Sequence, residues 1–168
     1  MLKSRADLFV YLDSLGIAHT TIDHPPVFTV EEAQEHTHHL PGGHTKNLFL
    51  EDKAGGLWLV TCLDAQPVKV NALARLLEAP RFSFGKPDRL MQALGVEPGS
   101  VTALALINDT ERRVRPVLDT KLLAHELVNC HPLTNTATTT LKAADLVRFM
   151  RELGYDPIEV DLDQTLAA

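Results

Sequence analysis

Thr45-Lys46-Asn47-Leu48-Phe49-Leu50 reads as a strand: six residues without Pro or Gly, ended by the turn-forming Glu51-Asp52-Lys53-Ala54-Gly55-Gly56. Side chains alternate across a strand, so Lys46, Leu48 and Leu50 share one face and Thr45, Asn47 and Phe49 the other. Apolar residues on both faces predict a strand covered on both sides. Lys46 then either carries its ammonium out along the strand end or aims it into a walled pocket, where a cation needs an anion, a phosphate or a carbonyl. The pocket is the working expectation; the strand-end reading stays open beside it.

Working outward, Gly55-Gly56 turns the chain into Leu57–Leu63, a mostly apolar strand that pairs with the first as a hairpin. On the N-terminal side, Ser4 caps a helix with Leu8, Tyr11, Leu12 and Leu15 on one stripe and Gly16 as its stop. His19–Ile22 is a short strand broken by Asp23-His24-Pro25-Pro26, and Thr29-Val30-Glu31-Glu32 fits a capping box opening a second helix. On the C-terminal side, helices are expected over 68–78, from Lys86 to Gly95 with Leu90, Met91 and Leu94 inward, over 122–125, and from Leu141 to Gly154. Strands are expected at 81–84, 101–107, 114–118 returning after the Asn108-Asp109 turn, 127–130, 136–141 and 158–160. Strands and helices mix without regular alternation. The expected fold is α+β: a single mixed, mainly antiparallel sheet with flanking helices, in one domain over 1–168.

The composition, 45% hydrophobic and 23% charged over 168 residues, suits a globular chain with a real core. No apolar run reaches the length of a membrane span, and Met1–Asp7 lacks the apolar core of a signal peptide. A cytoplasmic protein with reduced Cys62 and Cys130 is expected. A formal charge of −6 argues against a general nucleic-acid binder, although Gln66–Lys121 holds nine Lys and Arg against six acids.

Three clusters invite chemistry. His36, His38, His39 and His44 do not match a metal-ligand spacing, and a partly exposed helix end is the simpler reading. Cys130 and His131 are adjacent on a strand and so face opposite sides, which argues against a nucleophile–base pair. His131-Pro132-Leu133-Thr134-Asn135-Thr136-Ala137-Thr138 is more informative. Pro132 breaks the sheet ladder and frees backbone groups, and His131, Asn135 and Thr138 supply donors and acceptors around them. On the residues alone a well-bonded loop is the preferred reading, and Gly99-Ser100 reads as a plain turn.

Taken in order, Lys46-Asn47-Leu48-Phe49-Leu50, Gly95-Val96-Glu97-Pro98-Gly99-Ser100-Val101, Ile107-Asn108-Asp109 and His131-Pro132-Leu133-Thr134-Asn135 resemble the YbaK/ProX aminoacyl-tRNA deacylases, relatives of the editing insertion domain of bacterial prolyl-tRNA synthetase. The resemblance runs from Asp23-His24-Pro25-Pro26 to the last helix. The His-Pro-Leu-Thr-Asn pattern is similar to the free-standing ProX branch, which deacylates alanyl-tRNA(Pro); Val128 stands where the insertion domain has the glycine of its glycine–three residues–proline motif.

The resemblance implies a trans-editing hydrolase of mischarged alanyl-tRNA(Pro), with the acceptor end of tRNA, and prolyl-tRNA synthetase, as partners and no metal or cofactor. Lys46 would grip the ester carbonyl or terminal phosphate and Asn47 would help hold it. His131 and the Pro132 loop, with Asn129, Asn135 and Thr138, would bind the amino-acid end and position the water, beside Gly99 and Ser100. Phe28, Val30 and Leu133 are expected as apolar walls. Clearance of cysteinyl- or seryl-tRNA, and a non-catalytic module that binds tRNA or an aminoacyl ligand, are the alternatives.

Overall fold

The lysine strand is longer than its apolar core suggests. In this structure, a computed structural model that describes residues 1–166, it runs from Gly43 to Asp52 as β2. From Thr45 to Glu51 it pairs antiparallel with β3 (Leu57–Leu63), with Lys46 opposite Cys62 and Leu50 opposite Trp58. Its other edge is divided. Gly43 and His44 pair in parallel with β6 (Leu127–Cys130), while Leu50–Asp52 pair antiparallel with β4 (Phe82–Phe84). Between those two partners, residues 45–49 have no strand neighbour on that edge among the described residues. The opening in the sheet lies at the residues of greatest chemical interest.

The rest of the mixed sheet builds outward from this strand in the order β1-β7-β6-β2-β3-β5-β8. Here β1 is His19–Asp23, β7 Ala137–Lys142, β5 Val114–Asp119 and β8 Ile158–Val160. Alternation along β3 divides the core between the two faces. Leu57 and Leu59 join Phe49 in the larger cluster, with α1 (Arg5–Ser14), α4 (Pro87–Leu94), α5 (Thr120–Leu123) and α6 (Ala143–Glu152). Trp58, Val60 and Cys62 join Leu50 in a second cluster under α3 (Val70–Leu76). The expected α+β fold is thus present, with helices on both faces. No helix of the described residues is long and apolar enough to cross a membrane.

Three local expectations are corrected. Val101–Ile107 is not a strand: Ala103–Asn108 forms a 3-10 helix, entered through Thr102, whose hydroxyl accepts a hydrogen bond from the Leu104 amide at 3.3 Å. Ala103, Leu104, Ala105 and Leu106 are buried on every side, and an all-apolar run carries no periodicity to separate strand from buried helix. β5 does not return as a hairpin; it lies parallel to β3, with Leu57 opposite Val114 and Thr61 opposite Leu118. Met91 is 41% exposed, because α4 turns Leu90, Ala93 and Leu94 to the core instead.

Candidate functional site

Two adjoining cavities open at the divided edge of β2. The outer one, of about 160 Å³, is flanked by Thr45, Lys46 and Asn47 of β2, by Phe28 and Val30, by Gly99 and by His131. The inner one, of about 50 Å³, shares Val30, Thr45 and His131 and reaches Asn129, Cys130 and Thr138. Lys46 and the proline bend, far apart in the sequence, therefore meet across one hollow.

Lys46 is half-buried, and among the described residues no hydrogen bond or ion pair engages its ammonium. Since Lys46 also lines the outer cavity, it is a candidate partner for an anionic or carbonyl ligand. Its neighbour Asn47 is fixed on both sides: the Oδ1 accepts from the Thr61 hydroxyl at 2.7 Å and the Nδ2 donates to the Val101 carbonyl at 3.3 Å. Asn47 thus ties β2 to the chain that follows Gly99 while presenting its edge to the outer cavity. Thr45, which sequence reasoning passed over, lines both cavities and donates to the Asn129 carbonyl at 2.7 Å.

His131 follows β6 at the far wall. Its Nδ1 lies 3.1 Å from the Ala137 carbonyl. A carbonyl only accepts, so Nδ1 carries the proton of the neutral ring and Nε2 keeps its lone pair. Burial, with a smaller contribution from the neighbouring His24, pulls the imidazole below its ordinary value; the Ala137 hydrogen bond opposes this in part. His131 is therefore neutral at pH 7. His24 makes a similar pair of contacts: Nδ1 lies 2.9 Å from the Pro25 carbonyl, to which it donates, and Nε2 lies 2.9 Å from the Thr138 hydroxyl. The His24 ring stacks on His36 of α2 (Val30–Thr37) at 5.8 Å and lies 6.5 Å from His131. His24 and His36 thus flank the site; the sequence drew attention to His36 only as one of a histidine cluster, and their contact was not legible because it depends on how the end of β1 and α2 come together.

α2 begins where Thr29 accepts from the Glu32 amide at 3.1 Å, and the Glu32 carboxylate accepts from the Thr29 hydroxyl at 3.3 Å. This cap places Val30 at the junction of the two cavities. The remaining expected residues divide by role. Asn129 is buried and its amide is saturated: Nδ2 donates to the carbonyls of Pro41 and Gly43, and Oδ1 accepts from Thr140. Asn135 does not line either cavity; its Nδ2 donates to the Val27 carbonyl at 3.0 Å, and its carbonyl accepts from the Val27 amide at 3.3 Å. Pro132 is buried, and Ser100 also lies off both linings. Leu133, expected as a wall, adopts φ +68° and packs against the larger core cluster. Cys130 is buried and its thiol is pushed up to about 12 by that burial, which leaves no thiolate for nucleophilic attack.

The sequence profile of the aminoacyl-tRNA editing domain matches residues 24–149. Over 161 residues the chain is 43% identical to prolyl-tRNA synthetase associated domain-containing protein 1 of Danio rerio, covering 95% of this chain and 88% of that one. It is 33% identical over 144 residues to the prolyl-tRNA editing protein ProX of Acetoanaerobium sticklandii, covering 85% and 88%. Its fold superposes on the crystal structure of a candidate trans-editing enzyme for prolyl-tRNA synthetase with a TM-score of 0.72 at 19% identity, covering 96% and 98% of the two chains.

Proposed function

Because this chain belongs to the aminoacyl-tRNA editing domain family, we propose that it is a single editing domain over 1–168 that hydrolyses the ester of mischarged alanyl-tRNA(Pro) made by prolyl-tRNA synthetase. The observation that supports this reading is a single hollow lined by both the half-buried Lys46, which has no ion-pair partner among the described residues, and the neutral His131.

The ester enters with its carbonyl oxygen toward the Lys46 ammonium. As water adds to the carbonyl carbon, negative charge grows on that oxygen, and a cation held in a partly dry cavity stabilises it more than bulk water does. The attacking water loses a proton and the departing ribose oxygen gains one. In this scheme His131 Nε2 would accept the first, and the adjacent ribose hydroxyl would relay it to the second. No thiolate or strong carboxylate base enters this scheme, in keeping with the buried Cys130.

Selectivity follows from size. A synthetase pocket shaped for proline cannot strongly reject the smaller alanine. The inner cavity of about 50 Å³ has room for about four water-sized groups. A space of that size would admit the methyl of alanine more readily than the closed ring of proline.

The test is deacylation of a panel of charged tRNAs by the purified protein. Release of alanine from tRNA(Pro), with prolyl-tRNA(Pro) left intact, is expected. Preferential release of cysteine or serine would move the assignment within the family, and binding without hydrolysis of any ester would make the chain a non-catalytic module.

A further inference from the structure

Phe28 stands out at the mouth of the outer cavity. Its ring is 73% exposed, although burying a phenylalanine is worth about 1.5–3 kcal/mol. A ring that open cannot serve as the wall of a closed pocket.

The chain nevertheless holds it firmly. The β1–β7 ladder continues past Asp23: the His24 amide donates to the Thr136 carbonyl at 2.9 Å, and Val27 exchanges two hydrogen bonds with Asn135. Val27 is buried on one side of Phe28, and Thr29 is fixed on the other as the cap of α2. Pro25 and Pro26 stiffen the approach. One edge of the ring rests over Gly99, where an added methyl would come within 3.2 Å of it. The ring is thus presented, not left loose, beside the cavity that holds Lys46 and His131.

We propose that Phe28 is the stacking platform for the terminal adenine of the tRNA acceptor end. This inference rests on the hydrolase reading above. The ester and the base hang from the same ribose. With the ester carbonyl at Lys46, the base must leave the cavity at its rim, and Phe28 offers a rigid π-face there. Aromatic stacking is how proteins hold unpaired bases, and it requires no base-edge hydrogen bonds. Phe28 is accordingly a substrate-positioning residue for the nucleoside, and discrimination of the amino acid falls to the inner cavity.

The test is equilibrium binding of the full chain to an uncharged acceptor-stem hairpin ending in CCA, and to the same hairpin lacking only the last base. Phe28→Ala is expected to weaken binding of the CCA hairpin by about five- to hundred-fold, to leave the baseless hairpin within about twofold of wild type, and Phe28→Trp to restore tight binding. Equal loss on both hairpins, or no loss on either, would overturn the proposal. So would unchanged binding accompanied by hydrolysis of prolyl-tRNA in Phe28→Ala, which would make the ring a wall after all. Thermal melts of the variants confirm that the fold is retained. Since the RNA is uncharged, this result is independent of whether the protein cleaves any ester.

Discussion

At the scale of single residues, His131 carries the clearest pH signature. Its folded-state imidazole titrates below the ordinary histidine value because burial disfavours the cation. The neutral, proton-accepting form therefore persists below pH 6.5, and kcat/KM is expected to hold to that point and to fall only as pH drops through the depressed value. His131→Ala should lower kcat and abolish that acid limb; an unchanged pH–rate profile would remove His131 from proton transfer. Stability follows the same sign. The unfolded chain takes up the proton first, so this contribution is complete above 6.5 and is lost as pH falls from there through the folded value. Lys46 was legible in the sequence because strand alternation left a cation among apolar neighbours. Thr45 and His24 were not, since a threonine in a strand and a histidine before two prolines carry no distinguishing local signal.

At the scale of elements, the divided edge of β2 makes the site possible. Its parallel pairing with β6 is only two residues long and depends on the close approach of Gly42. Gly42 has φ +93°, and a Cβ there would lie 2.6 Å from the Leu127 carbonyl carbon. Gly42→Ala is expected to cost at least about 2 kcal/mol, the left-handed strain plus displacement of β6. A lowered midpoint in urea unfolding, with loss of activity below that midpoint, checks this; wild-type stability would show that the β2–β6 junction is not critical. Gly99, on the segment facing β2 across the outer cavity, is closed in by the Phe28 ring and the Asn135 amide. Gly99→Ala should therefore weaken RNA binding more than it lowers stability, as read by binding and melting side by side. The hairpin of β2 and β3 was legible from Gly55-Gly56. The parallel β3–β5 pairing was not, because it joins strands separated by α3, β4 and α4, and nothing local records that register.

At the scale of the whole molecule, the α+β class was legible from the mixture of short elements, whereas the cavities were not: they arise where β2, the α2 cap and the His131 bend converge. The net charge of −6 would set the character of the proposed RNA binding. An acidic protein that meets the acceptor end through a few local cations should show a shallow salt dependence, with log(kcat/KM) falling against log[salt] at a slope of about −2 for roughly three phosphate contacts. A much steeper slope would mean a broad basic interface. Lys46 is proposed to drive ester hydrolysis from the hollow it shares with the proline bend. Single-turnover deacylation of alanyl-tRNA(Pro) by wild type and by Lys46→Ala tests it most directly. A fall of about 100-fold or more is expected in a variant with the wild-type circular dichroism spectrum; a folded Lys46→Ala protein that releases alanine at the wild-type rate would remove the lysine from the chemistry.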